Sequence, residues 1–332
     1  MTQGGKNNMK SFLNPKISSF LCLVLILLFA EWGYSQEIYP NRPVTFIVAF
    51  SPGGSTDLAF RLLTKETEKY FGQPIIVVNK PGGGGTIGVS AVVAAKPDGY
   101  TIGMSPAGGF LVIMPYLEKI PYHPLKDLKY IMEFADLNFG VIVKADSPFK
   151  NFKDLIAYAR QNPKKLTYGT NAPNSISNLI MEQVAKKEGV QLTHIPFKAS
   201  PEYQTALLGG HILFTAGEFN YSLLEAGQIR ILLYLGEKHS DEYPQVPILK
   251  DLGHDIPFPV FYGVVGPKDL PDEIAKKLEE AFTRGMKEQA FIKGMKDLHL
   301  TIFYRNSKQL TDYAAHNYEL FGKILKEMGL IK

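Results

Sequence analysis

The chain has 332 residues, 45% of them hydrophobic and 12% aromatic, which is long enough to bury a large core and too apolar for intrinsic disorder. A single cysteine, Cys22, excludes a disulfide scaffold. The net charge of +4, from 36 basic and 32 acidic residues, is too balanced for a nucleic-acid footprint, so no nucleic-acid partner is expected.

Lys6, Lys10 and Lys16 precede an apolar run from Ile17 to Ala30, interrupted by Ser18 and Ser19. A basic start and a short apolar core are the pattern of an export signal, and the run falls short of the roughly 20 residues that span a bilayer. Small residues at Gly33 and Ser35 place cleavage before Gln36, making residues 1–35 a signal peptide. Bulky Phe20 and Leu21 ahead of Cys22 argue against lipid attachment there. Cleavage leaves 297 residues without cysteine or tryptophan and lowers the net charge to +2, because three lysines and Glu31 are removed. The exported product is then thiol-free, which excludes cysteine nucleophiles and thiolate metal sites.

The remaining chain alternates strands and helices. Val44 to Phe50 is a short apolar, β-rich run, the mark of a buried parallel strand. A helix is expected from about Thr56 to Tyr70, with Leu58, Leu62 and Leu63 on its buried face and Gly72 as its stop. Strand Ile75 to Asn79, a glycine-rich turn, a small-residue helix through Val89 to Ala95 and strand Tyr100 to Met104 complete a β-α-β-α-β series, which argues for a parallel sheet. The pattern then resets. Gly140 to Lys144 reads as a strand, Asn151 to Asn162 as a helix, Leu166 to Gly169 as a strand, Asn178 to Lys187 as a helix and Gln191 to Pro196 as a strand. Further units reach Tyr234, and Pro244, Pro247, Pro257 and Pro259 mark a loop-rich stretch before strand Phe261 to Val265. Two helices close the chain. Pro271 opens the first, with Asp272 and Glu273 in its first turn, and Ser307 caps the second, which ends at Gly329.

Three loops following strands carry candidate chemistry. Phe50, Ser51, Pro52, Gly53, Gly54, Ser55, Thr56 and Asp57 run from a strand end into a helix start, where unpaired N–H groups and the helix dipole attract an anion. A plain β-α turn capped by Asp57 is the competing reading. Gly83 to Gly88 matches the G-x-G-x-x-G pattern, but the next strand ends in Met104-Ser105 without the acidic residue that a dinucleotide ribose requires, which favours a wide turn with close backbone packing. Thr170, Asn171, Asn174, Ser175 and Ser177 form a third, uncharged loop rich in small hydrogen-bonding side chains. If the first and third loops belong to facing lobes, their donors suit the two oxygens of a carboxylate. None of the seven histidines has a recognised metal spacing, and no nucleophile motif is present, so no metal, cofactor or enzymatic activity is expected. His194, beside a strand end, reads as a packed structural histidine.

The stretch Tyr39-Pro40, Arg42-Pro43 and Phe50 to Asp57 resembles the opening of the Bug, or TctC-like, family of periplasmic solute-binding proteins of tripartite tricarboxylate transporters. Matching pieces follow in the family's order: Gly72-Gln73-Pro74, Asn79 to Gly82, Gly85 to Gly88, Pro97 to Thr101, Lys126 to Leu128, His194 to Lys198, Leu207 to Gly210, Phe261 to Gly263 and Leu270-Pro271. The resemblance implies an α/β, type II periplasmic-binding-protein fold: two α/β lobes with a ligand cleft between them. Lobe 1 then comprises residues 36–139 and 262–332, and lobe 2 residues 140–261. It implies a periplasmic monomer that captures a small carboxylate, a di- or tricarboxylate or an aromatic acid, and delivers it to membrane permease subunits. A sensor feeding a two-component system is the alternative, and a nucleotide-binding or hydrolytic enzyme a more distant one. The family's carboxylate-holding loops map onto Ser51 to Asp57 and Thr170 to Asn178, with Lys198 and Ser200 as a third cleft edge. Asn178 stands where many members have histidine, and Gly217 where many have aspartate. The missing aspartate argues against an amino-acid ligand, with Glu218 as a substitute if the register shifts by one.

Overall fold

Local signals and long-range pairing both shape the elements of the computed structural model, which describes residues 39–240 and 242–332. The export segment expected at residues 1–35 lies outside the described residues. Among the described residues, no helix is long and apolar enough to cross a membrane. Residues 42–332 form one compact unit.

The first half of the chain gives β1 (Val44–Val48), α1 (Ser55–Phe71), β2 (Ile75–Asn79), α2 (Thr86–Val93), β3 (Thr101–Met104), two single-turn helices α3 (Gly109–Val112) and α4 (Met114–Leu117), and β4 (Leu128–Asp136). There follow β5 (Phe139–Lys144), α5 (Phe152–Gln161), β6 (Thr167–Thr170), α6 (Ile176–Glu188), β7 (Thr193–Pro196), α7 (Ser200–Leu208), β8 (Phe214–Glu218), α8 (Tyr221–Glu225) and β9 (Ile229–Tyr234). The chain ends in β10 (Phe261–Pro267), α9 (Asp272–Gly285), α10 (Gln289–Asp297), β11 (Thr301–Asn306) and α11 (Ser307–Glu327).

The strands form two sheets, ordered β11-β4-β10-β3-β1-β2 and β7-β6-β8-β5-β9. In the first, β1 pairs in parallel with β2 and β3, while β10 runs antiparallel to β3 and β4. In the second, β6 pairs in parallel with β7 and β8, while β5 runs antiparallel to β8 and β9. The sheets are therefore mixed where sequence order predicts a parallel one. The reason is geometric: β1 and β3 end where β10 begins, because β10 enters from the other sheet. The chain passes between sheets twice, through Leu137 and Asn138 and through residues 235–260.

The first sheet packs Phe46, Phe60, Phe134, Phe282 and Phe291, with Phe46–Phe60 centroids 5.2 Å apart and Phe60–Phe134 edge-on at 5.0 Å. Each such buried ring contributes about 1.5–3 kcal/mol by removal from water, and each aromatic pair about 0.5–1.5 kcal/mol more. The second sheet stacks Tyr168 on Phe214 at 5.0 Å and 12°.

Local expectations need three corrections. Leu63 is buried as expected, but Leu58 is 43% exposed and α1 buries Ala59, Phe60 and Phe71 beside Leu63, so its apolar stripe is rotated toward Phe60. Asn306, not Ser307, caps α11, in a reciprocal capping box with Gln309. Strand β4 has no counterpart in the expected elements, because Lys129, Glu133 and Asp136 break its apolar pattern. It is nonetheless nearly all buried, between β10 and β11.

Candidate functional site

The parallel strands β1, β2 and β3 all deliver their loops to one edge of the first sheet. The loop after β1 turns through Gly53, whose φ of 82° lies in the left-handed region that favours glycine. Asp57 holds this loop. Its Oδ2 accepts from the Gly53 N–H at 2.9 Å, Arg61 Nε donates to both carboxylate oxygens at 3.0 and 2.9 Å, and Asn79 Nδ2 donates to Oδ1 at 2.7 Å. Burial works to raise this carboxyl, but the bonds from Arg61, Gly53 and Asn79 outweigh it and keep it below the ordinary value. Asp57 is 2% exposed, so it anchors the loop and turns away from the cleft.

With Asp57 so engaged, no side chain caps α1 at Gly54. The first helical bond runs from Leu58 to Gly54, which leaves the Ser55 and Thr56 N–H groups at an open helix start. Tyr262 on β10 bonds Thr56 Oγ1 through its hydroxyl at 2.8 Å and fixes this corner from the linking strand.

The glycine-rich segment Gly83–Gly85 is a single 3₁₀ turn. A Cβ on Gly84 would meet the Phe110 ring at 2.1 Å, and one on Gly88 would meet Ala49 Cβ at 2.5 Å. These glycines serve close packing: Phe110 lies over the loop, and α2 presses on the end of β1.

Between the first sheet and β8 lies a cavity of about 420 Å³. Its walls come from the ends of β1 and β3, Phe110, the linking residues Leu137 to Phe139, β10, the Glu218-to-Tyr221 segment and the turn at Leu298 to Leu300. Of the sequence-derived site residues, Phe50, Ser55 and Glu218 line it, and Ser51, Gly53, Gly54 and Asp57 form the adjoining loop. Phe219 also lines it.

The third loop does not line this wall, and its Thr170, Ser175 and Asn178 side chains bond within the protein. Thr170 Oγ1 donates to Ala172 O at 2.9 Å, Ser175 Oγ lies 3.1 Å from Thr170 Oγ1, and Ser175 caps α6. Asn178 accepts from the Asn174 N–H at 3.0 Å and donates to Tyr168 Oη at 2.7 Å. Ser177 is buried and Asn171 exposed. His194 packs against Tyr168 and bonds Thr170 Oγ1, a structural role, and burial lowers its ring below the ordinary value. Lys198 is exposed, and Ser200 is half-buried with Oγ 3.4 Å from Glu218.

Gly217 is covered. A Cβ there would come within 2.4 Å of Tyr203 Oη, which also accepts from the Glu218 N–H. Tyr203 therefore fills the space that a side chain at 217 would need. The neighbouring Glu218 is exposed to the cleft, but the crowding walls push its carboxyl above the ordinary value, partly offset by Ser200.

Thr56, part of the first candidate loop, also lines the cavity, whereas sequence reasoning missed Met104, Ser105, Tyr122, Asn138, Tyr221 and His299 as wall residues. Only Ser105, at the end of a parallel strand, carried a positional signal. Asn138 is the polar centre of the link: it bonds Tyr221, Tyr234, Thr301 and the His299 carbonyl, joining residues of both sheets. Tyr221 stacks on His299 at 3.8 Å and 13°.

A family model described as "Tripartite tricarboxylate transporter family receptor" matches residues 59–330. A Cupriavidus necator protein, "UPF0065 protein in gbd 5'region", is 39% identical over 295 residues, 89% of this chain and 90% of its own length. BugT of Bordetella pertussis is 27% identical, over 89% and 92% of the two chains. Among solved structures, a TctC solute binding protein from Polaromonas superposes with a TM-score of 0.79 at 26% identity, covering 87% of this chain and 99% of that one. R. palustris Rpa4515 with adipate gives 0.68 at 25% identity, covering 88% and 98%.

Proposed function

Because this chain belongs to the tripartite tricarboxylate transporter receptor family, whose fold is that of solute-binding proteins, we propose that it captures a small carboxylate in the cavity between its two sheets and delivers it to membrane permease subunits. The observation that carries this reading is the open start of α1. Two N–H groups and the Ser55 and Thr56 hydroxyls face a cavity edge at the positive end of a 17-residue helix. A charge-assisted hydrogen bond contributes roughly 1.5–3 kcal/mol, and micromolar affinity needs about 8 kcal/mol. The two N–H groups, with burial against Phe50 and Phe219, supply much of that, while the Ser55 and Thr56 hydroxyls also share Tyr262 Oη. Residues 1–35 serve as the cleavable export signal, and the mature protein works as a periplasmic monomer. Solution of the relative Rpa4515 with adipate supports the ligand class.

The ligand in this reading carries no ammonium group, since Tyr203 occupies the place of an acidic side chain at 217. Isothermal titration against plain carboxylates and amino acids tests it: carboxylates bind, and a preference for amino acids would sink the reading. The Gly53→Val variant, strained at its positive φ, is expected to lose at least about tenfold in affinity while remaining folded.

A further inference from the structure

Two sheets that share a cavity need contacts that set how far apart they stand. The turn from Leu298 to Leu300, between α10 and β11, carries such a contact from the first sheet to the second. His299 in this turn lies flat on Tyr221 of α8, with ring centroids 3.8 Å apart and planes 13° apart. Its Nδ1 lies 3.2 and 3.3 Å from the two carboxylate oxygens of Glu242, in the link between β9 and β10. Its carbonyl accepts from the Tyr221 hydroxyl at 3.3 Å and from Asn138 Nδ2.

The two partners of the His299 ring belong to the second sheet. Tyr221 and Tyr243, the neighbour of Glu242, pack on the apolar cluster of Ile229, Ile231 and Tyr234. The His299 turn instead leads into β11, which pairs with β4 in the first sheet. Its backbone holds a φ of 53°, in the left-handed region that favours glycine, and such a conformation persists where surrounding contacts hold it. Both stacked rings line the cavity, so the contact lies on the cleft side of the junction. By contrast, the Arg305–Glu237 ion pair, which also runs from β11 to the segment after β9, lies outside the cavity wall. A contact on the cleft side forms as two lobes approach and breaks as they part.

We propose that His299 is an interlobe clasp: its ring, held by Tyr221 and Glu242, keeps the two sheets close across the cavity, and its loss lets the cleft stand wider. This goes beyond the carboxylate reading and holds whatever the ligand. A ligand that touches the clasped rings favours the clasped arrangement, so occupancy and lobe spacing bias each other.

The test is spin-label distance measurement by pulsed electron resonance, without added ligand, between Lys65→Cys on α1 and Lys153→Cys on α5. These are exposed positions on helices of the first and second sheets. His299→Gly suits the positive φ, so it spares the turn while removing the ring. It is expected to lengthen the mean label distance by about 2 Å or more and to broaden its distribution. Glu242→Ala, outside the cavity wall, should lengthen it less. Tyr221→Phe keeps the stack and drops the hydroxyl, and should leave the distance as in the parent. An unchanged or shorter distance in His299→Gly overturns the clasp, as does a Tyr221→Phe distance as long as that of His299→Gly. Should the glycine variant fail to fold, the same criterion applies to Glu242→Ala. Failure of the carboxylate reading, seen by titration, leaves these distances untouched.

Discussion

Asp57 and Glu218 are two acids at one cleft with opposite environments. Asp57 spends its acceptor capacity on Arg61, Gly53 and Asn79, and so builds the loop whose N–H groups are left to a ligand. Asp57→Ala removes the acceptor shared by Gly53, Arg61 and Asn79, and a loss of about 1–3 kcal/mol is expected. The denaturation midpoint measures it, and binding should fall with the loop's order. Glu218 faces the cavity with a carboxyl raised by its crowded walls. A proton on Glu218 removes repulsion of a bound carboxylate, so affinity should fall as pH rises through its titration, above the ordinary glutamate value. Glu218→Gln should flatten that profile; an unchanged slope would place the titrating group elsewhere. At Gly217, substitution by aspartate forces Tyr203 away and should cost stability before any amine can be recruited.

At the level of elements, β4 concentrates the charge that its sequence seemed to misplace. Arg305 on β11 bonds Glu133 at 2.5 Å and Glu237 at 2.6 Å, with Asp136 nearby and Tyr313 also on Glu237. Three carboxyls share one guanidinium, so burial, with the mutual repulsion of the acids, raises the Glu133–Asp136 pair: Glu133 to about 9 and Asp136 to about 6. Their folded values lie above the unfolded ones. The unfolded chain therefore binds fewer protons between about pH 4 and 9, and this cluster's contribution to stability is lost as pH rises through that window. Asp136→Asn should raise the melting temperature at pH 8 relative to the parent more than at pH 5. A parallel shift at both pH values would refute the shared-proton account. The same strand explains why the sequence misled: Lys129, Glu133 and Asp136 look like loop residues until β10 and β11 enclose them.

Across the whole molecule, two mixed sheets meet at Asn138, with its bonds to Tyr221, Tyr234, Thr301 and the His299 carbonyl. This polar seam lies in the cavity wall, so ligand contact and lobe geometry share a residue. Asn138→Ala should destabilise by about 2–4 kcal/mol through the partners left unmet. If the lobes close on a ligand, small-angle scattering should show a smaller radius of gyration with ligand than without.

Local chemistry was readable along the chain. The strand–loop–helix order, the Gly53 turn, the open start of α1 and the reset near residue 140 are all written in neighbouring residues, because periodicity, caps and φ preferences act over a few positions. The family motifs extended that reading to two lobes. The wall of the cavity was not readable in this way. Ser105, Tyr122, Asn138 and His299 come together only because β10 returns to pair with β3 and β4 after more than a hundred residues in the second sheet. Likewise, Thr170, Ser175 and Asn178 of the third loop look like ligand donors in sequence, yet folding turns these three on Ala172, Thr170 and Tyr168. A side chain's type is fixed by sequence, but whether it is spent on the protein or left for a ligand depends on which distant backbone arrives beside it.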